Sequence, residues 1–275
     1  MAHPHEPTPT APSPRATLAR LVAACVLIVA GCEFPTGSDG ASGEGPGHRQ
    51  QTLGLSPAEE LEVGRRAYRK VLDEYQGRIL PDSAPETRQV RQIMDRLEQA
   101  SRIEPLQREI NLRVRGYTFE WEVRVVRERQ VNAFCLPAGK MVVFTGIIPV
   151  AQDDGQLAAV LSHEMAHALA HHGSERVARE RSGAGVLSSL RYDRFQESEA
   201  DHIGIFLMAF AGYDPEEAVT FWRRMVQLTG QGGQPPEILS DHPSHATRIK
   251  NLAAWAPRAR AAKQAYDEGR IAPAK

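Results

Sequence analysis

His163-Glu164-Met165-Ala166-His167 puts two imidazoles four residues apart, with a carboxylate directly after the first. At 3.6 residues per turn, His163 and His167 leave a helix on the same face, one above the other, so both rings can converge on one tetrahedral Zn²⁺. Glu164 is offset by one position, which sets it beside such a metal instead of on it. A carboxylate there can take a proton from water acidified by the metal and hand it to a leaving amine.

This is the HExxH pattern of zinc peptidases. A catalytic zinc takes three protein ligands and keeps a fourth position for water, so the pair needs a third donor downstream. Glu197-Ser198-Glu199-Ala200-Asp201 supplies the candidates, and it opens a helix whose run Ile203, Ile205, Phe206, Leu207, Met208, Phe210 marks it as buried. Buried carboxylates need partners. Glu197 and Asp201 are four apart and share a face; one can ligate while the other accepts the free ring N–H of a liganding histidine, fixing its tautomer. Glu199 points elsewhere and reads as a solvated carboxylate. His171 and His172 read as surface or structural histidines, because one more helical turn carries His171 about 6 Å beyond His167.

The elements that must hold these groups can be read in turn. Asp153 to Gln156 caps the helix of the histidine pair, and Leu157, Ala158, Val160, Leu161, Met165 and Leu169 give it an apolar face. Upstream, Ser56-Pro57-Ala58-Glu59 is a capping box with proline at the first helical position, and a second helix is predicted from Pro85 to Ala100. Phe119, Trp121, Val123 and Val125 alternate with polar residues as in a half-buried strand. A hairpin should follow, Val131 to Leu136 and Met141 to Thr145 joined by Pro137-Ala138-Gly139-Lys140. From Asp153 on the chain reads as helical, with a further cap at Asp214-Pro215-Glu216-Glu217 and a closing helix from Ser244 to Tyr266. The fold class predicted is α+β, mainly helical.

HEMAH followed by ESEAD, with Asn132-Ala133-Phe134-Cys135-Leu136-Pro137 upstream and Asp241-His242-Pro243 downstream, resembles metallopeptidase family forty-eight. This gluzincin group contains the CaaX prenyl proteases, HtpX, the mitochondrial Oma proteases and the periplasmic BepA type. The likeness runs from Leu55 to Trp255 and implies a zincin-like peptidase domain with a small antiparallel sheet and an active-site HExxH helix. It implies one zinc per chain held by His163, His167 and Glu197, Glu164 as general base, and Asp201 behind a ligand. His242 matches a histidine that either stabilises the tetrahedral intermediate or occupies the open metal position as a switch; Arg248 matches the arginine after it. The hairpin matches the active-site edge strand, which implies strand addition of an extended substrate at Asn132, Ala133 and Phe134 and along Lys140, Met141, Val142 and Val143. Cys135 departs from the small apolar residue expected there, and the stretch Ala168 to Gln196 is short, so a reduced lid is expected.

The first residues read as a leader: Arg15 and Arg20, then the apolar run Leu21 to Ala30, then Val29-Ala30-Gly31-Cys32, similar to the lipobox of bacterial lipoproteins. This suggests a leader over residues 1–31, an acylated Cys32 with a flexible Gly/Ser/Pro tether over 32–54, and the peptidase domain over 55–275. The implied location is the bacterial cell envelope, lipid-anchored and periplasm-facing, with the outer membrane preferred because Glu33, not aspartate, follows Cys32.

The 275 residues carry 33 basic against 34 acidic side chains, which leaves no electrostatic footprint for nucleic acid. Three cysteines cannot form a disulfide framework. The expectation is a zinc-dependent metalloendopeptidase that cuts misfolded or stalled envelope polypeptides. The other reading is a latched, chaperone-like assembly factor with little proteolysis, and a third is an inert protein with a structural metal.

Overall fold

Helix α1 (Pro57–Glu74) starts where its capping box requires: Glu59 N–H donates to Ser56 Oγ at 3.3 Å, and Ser56 N–H donates to Glu59 Oε2 at 2.8 Å. The two contacts satisfy backbone donors that the first turn leaves open. This computed structural model describes residues 42–44, 50–109, 117–183, 186–230, 238–239, 242 and 246–270, all within one compact unit, Gly37–Lys275. The leader, Cys32 and most of the tether lie outside the described residues.

The folded body begins earlier than residue 55. Strand β1 (Ser42–Glu44) pairs antiparallel with β2 (Gln50–Thr52). Gln51 is buried and its Nε2 donates to Ala170 O at 2.6 Å, while Leu53 and Leu55 are fully covered. Gly54 N–H donates to Ser174 O at 2.9 Å. The polar composition of this stretch reads as a tether because its burial depends on partners more than a hundred residues away.

Helix α2 (Pro85–Ser101) buries Val90, Ile93, Met94 and Leu97 on one face, and the short α3 (Glu104–Glu109) follows. Three strands, β3 (Glu122–Val126), β4 (Ala133–Leu136) and β5 (Lys140–Phe144), then form a sheet in the order β3-β5-β4. The β4–β5 hairpin is antiparallel, but β3 pairs parallel with β5, Val123 opposite Met141 and Val125 opposite Val143. The sheet is therefore mixed, not antiparallel throughout. The last strand of the chain segment inserts between the first two, and alternation along a strand carries no information about which neighbour it takes. Gly64 of α1 lies against the hairpin turn, where a Cβ would stand 2.0 Å from Pro137 O, so only glycine allows that approach.

After α4 (Ile148–Ala151), helix α5 (Asp154–Leu169) runs through the centre of the body. Gln156 N–H donates to Asp153 Oδ1 at 2.8 Å to cap it, and Leu157, Leu161, Met165 and Leu169 are fully buried. Each such side chain contributes ~1.5–3 kcal/mol of burial free energy. Around it stand α6 (His172–Arg181), α7 (Val186–Phe210), α8 (Glu216–Gly230) and α9 (Ala246–Asp267).

Helix α7 starts at Val186, so the ESEAD segment sits in its middle and not at its opening as the sequence suggested. A role for Glu197 as a first-turn acid favouring the helix dipole is thereby removed. Gly204 brings α7 against α5, since a Cβ there would meet His163 N at 3.1 Å. No helix among the described residues is long and apolar enough to cross a membrane.

Candidate metal centre

One helical turn of α5 presents both imidazoles of the motif toward α7. His163 Nε2 and His167 Nε2 lie 3.1 Å apart. Glu197 from α7 faces both, with Oε2 3.3 Å from His163 Nε2 and Oε1 3.3 Å from His167 Nε2. His242 closes the group: its Nδ1 is 3.3 Å from His163 Nε2 and 2.9 Å from Glu197 Oε1. One ligand atom from each of the four residues lies within 4.8 Å of all the others.

These spacings suit a metal ion. Four donors bound tetrahedrally at zinc distances stand about 3.3 Å from one another. The donor set, three imidazole nitrogens and a carboxylate oxygen, is one that zinc accepts, and metal-directed nitrogens cannot all be satisfied by hydrogen bonding to one another. Among the protein groups alone, burial holds the His167 imidazole well below its usual range. Burial works against the Glu197 charge, but the His242 and His167 rings outweigh it and hold the carboxyl well below the usual carboxylate range. For His242 burial again opposes charge, and Glu197 and Glu164 overcome it to push the ring up to about 9.

Glu164 is buried beside the group, its Oε1 3.2 Å from His242 Nε2. Behind His163, Asp201 Oδ1 lies 3.1 Å from the ring Nδ1. Arg248 Nη2 donates to Asp201 Oδ1 at 2.7 Å, its Nε lies 2.6 Å from Oδ2, and its guanidinium packs over Trp222 at 3.5 Å. Asp201 and Arg248 thus meet as a buried pair whose far side fixes His163.

The remaining expected residues divide. Asn132, Ala133 and Phe134 lie at the start of β4, which packs against α5. Lys140, Met141, Val142 and Val143 do not offer an open edge: β5 is hydrogen-bonded on one side to β3 and on the other to β4. Strand addition along them is excluded because their backbone groups are already used within the sheet. The Lys140 ammonium turns instead to Glu120 and Glu122, each at 3.4 Å. Cys135 sits on β4, and burial followed by the nearby Glu164 charge pushes its thiol well up, which disfavours the thiolate.

Two residues set aside in the sequence belong to the site's surroundings. Helix α5 ends at Leu169, and His171 takes φ 54°, a left-handed conformation that bends the chain back. His171 is then buried, its Nδ1 3.1 Å from both oxygens of Glu60. His172 returns to His167, their Nδ1 atoms 2.8 Å apart, and its Nε2 lies 2.9 Å from Glu199. Neither histidine is at the surface, and Glu199 is buried, not solvated. Two adjacent histidines and a third acid within ESEAD were the available signal; extrapolating an unbroken helix concealed it.

An HExxH helix crossed by a second helix that supplies a carboxylate, with a small sheet alongside, defines a metallopeptidase of the zincin type. The profile of Peptidase family M48 matches residues 94–182 and 180–256, and the chain belongs to that family. It is 34% identical over 229 residues to mitochondrial metalloendopeptidase OMA1 of Schizosaccharomyces pombe, 76% of this chain and 64% of that protein. Metalloendopeptidase OMA1, mitochondrial, of Homo sapiens is 34% identical over 172 residues, 50% of this chain and 33% of that protein. The β-barrel assembly-enhancing protease of Escherichia coli is 24% identical over 156 residues, 46% of this chain and 32% of that protein. The chain therefore spans from about a third to just under two thirds of these three relatives' length.

The expected location in the bacterial envelope is corrected by these matches. The relatives that match about three quarters of the chain are both named as mitochondrial, and the β-barrel assembly-enhancing relatives match less of it at lower identity. A leader-like segment reports on export chemistry only through a few residues, whereas the match to mitochondrial proteins extends over most of the chain.

Proposed function

We propose that the chain is a zinc-dependent endopeptidase with one zinc per chain, held by His163, His167 and Glu197, that cuts extended stretches of unfolded or misassembled polypeptide. The observation that carries this reading is the convergence of those three side chains and His242 on one point, with Glu164 alongside. When bound, zinc supplies a Lewis acid that polarises a peptide carbonyl and lowers the pKa of water. Glu164 accepts a proton from the attacking water as the new C–O bond forms, and delivers it to the amine nitrogen as the C–N bond breaks. Asp201, backed by Arg248, holds the His163 ring in the tautomer that leaves Nε2 free. The substrate backbone would run beside β4 near Asn132, Ala133 and Phe134; among the described residues this strand pairs with β5 alone, and the Asn132 carbonyl accepts from Phe144 N–H on that inner side. Strand pairing reads backbone and not side chains, which suits unfolded chains of varied sequence.

Dialysis against a chelator is expected to abolish casein cleavage, and one equivalent of zinc per chain to restore it. Cleavage that survives with less than a tenth of an equivalent of metal would overturn the reading.

A latched form of the same site is a second reading, favoured by the position of His242, whose Nδ1 completes a four-donor group. Closed four-ligand sites are the mark of metals that do not catalyse. Replacing His242 by alanine separates the alternatives in a casein assay. A rise of about tenfold or more is the outcome for a latch, and a comparable fall is the outcome if His242 stabilises the tetrahedral intermediate.

A further inference from the structure

The chain's treatment of its two motif histidines is unequal. His163 is backed directly by a carboxylate, Asp201, whose charge is shared with Arg248. His167 is backed by a second imidazole: its Nδ1 faces His172 Nδ1 at 2.8 Å, and His172 Nε2 faces Glu199 Oε2 at 2.9 Å. His172 and Glu199 are both buried, at 2% and 9% exposure. No part of the proposed hydrolysis uses either residue.

Hydrogen-bond accounting leaves one arrangement for this row. A ligand must present a bare Nε2 to the metal, so His167 carries its proton on Nδ1 and donates it to His172. His172 must then be bare at Nδ1, which puts its own proton on Nε2. That proton points at Glu199, the one group in the row that can only accept. Every donor meets an acceptor, and reversing any ring would set two protons or two lone pairs against each other. The row is also anchored: Gln196 Nε2 donates to His172 O at 3.3 Å and to Glu175 Oε2 at 2.9 Å, tying the start of α6 to α7.

We infer that His172 and Glu199 are positioning residues for the metal, an imidazole–carboxylate relay that locks the His167 tautomer and raises its donor strength. The inference rests on the zinc reading given above. It assigns a task to the left-handed turn at His171, which is what brings His172 back over His167. It also gives a task to the buried glutamate within ESEAD that meets His172.

The test is the zinc dissociation constant of the intact protein, measured by chelator competition, together with the visible spectrum of the cobalt-substituted protein and the thermal midpoint of the apo form. His172→Leu is expected to weaken zinc binding 10- to 100-fold, the range found when such outer partners are removed, and to alter the cobalt spectrum. His172→Asn keeps an acceptor where Nδ1 now stands and should recover affinity to within about threefold of the parent, although it breaks the link to Glu199. Glu199→Gln should lie between, and His172→Leu/Glu199→Gln should bind no worse than His172→Leu if the effect of Glu199 on zinc runs through His172.

Zinc affinity within twofold of the parent in His172→Leu overturns the relay, as does an Asn variant as weak as Leu at equal apo stability. Should His172→Leu fail to fold, Glu199→Gln decides: unchanged affinity and spectrum overturn the inference. Absence of zinc binding in the parent itself is a different outcome and strikes the zinc reading instead.

Discussion

Glu164→Gln is expected to lower casein cleavage by about 10²–10⁴-fold, the usual contribution of a positioned general base, while the protein still binds one zinc. Glutamine keeps the size and the buried position of Glu164 but cannot take up a proton at neutral pH. Its amide can still meet His242, whose Nε2 lies 3.2 Å from the present Oε1, so the donor group should stay assembled. Zinc content by metal analysis and initial rates on casein are the two measurements. A variant that cleaves within threefold of the parent would remove Glu164 from the chemistry. Loss of zinc along with activity would instead make Glu164 part of the metal's support.

Arg248→Met is expected to cost about 3–5 kcal/mol, because it leaves the buried Asp201 charge without its cation. For a body of this size that corresponds to a fall in the thermal midpoint of about 6–20 °C. Asp201 is 3% exposed and meets Arg248 at 2.6 and 2.7 Å, so water cannot replace the guanidinium. Methionine keeps an unbranched side chain of similar reach, but it also gives up the guanidinium that lies over Trp222, so the loss of that ring contact adds to the loss of the charge. Asp201→Asn in the same chain should recover most of the loss, since the stranded charge is then gone. A fall below 2 °C in Arg248→Met, measured calorimetrically, would show that Asp201 finds another partner.

The stability and the chemistry of this protein are coupled through that pair. Arg248 on α9 joins Asp201 on α7 to His163 on α5, so three helices meet at one candidate donor. Gly204 permits the approach of α5 and α7 that brings them together. His163, His167 and Glu197 are accordingly carried by packed helices and not by a surface loop.

What could be read along the chain was whatever depends on near neighbours. The capping box at Ser56, the Asp153 cap, the extent of α2 and the hairpin at Pro137 all follow from residues within one or two turns of each other. The same locality made His163, Glu164 and His167 legible, since a helix fixes the direction of side chains four apart. Glu197 and Asp201 were legible as a pair for the same reason, although their place in the middle of α7 was not.

Features set by distant partners were not legible. The insertion of β5 between β3 and β4 depends on sheet assembly, and it closes both sides of Lys140–Val143. Burial of Gln51 and Leu53 depends on Ala170 and the helices behind them, so a stretch that composition marks as a tether belongs to the body. The turn at His171 ends the periodicity from which the places of His171 and His172 had been extrapolated. By itself, then, the sequence determined the candidate donor residues, the helix that carries the histidine pair and the family to which the chain belongs. Only the tertiary structure decided that His172 and Glu199 stand behind His167, that His242 lies with the other three donors and that β5 is the central strand of the sheet. The physical reason is that helical periodicity propagates direction over a few residues, whereas a chain reversal, a strand order or an ion pair is selected by the packing of the whole body.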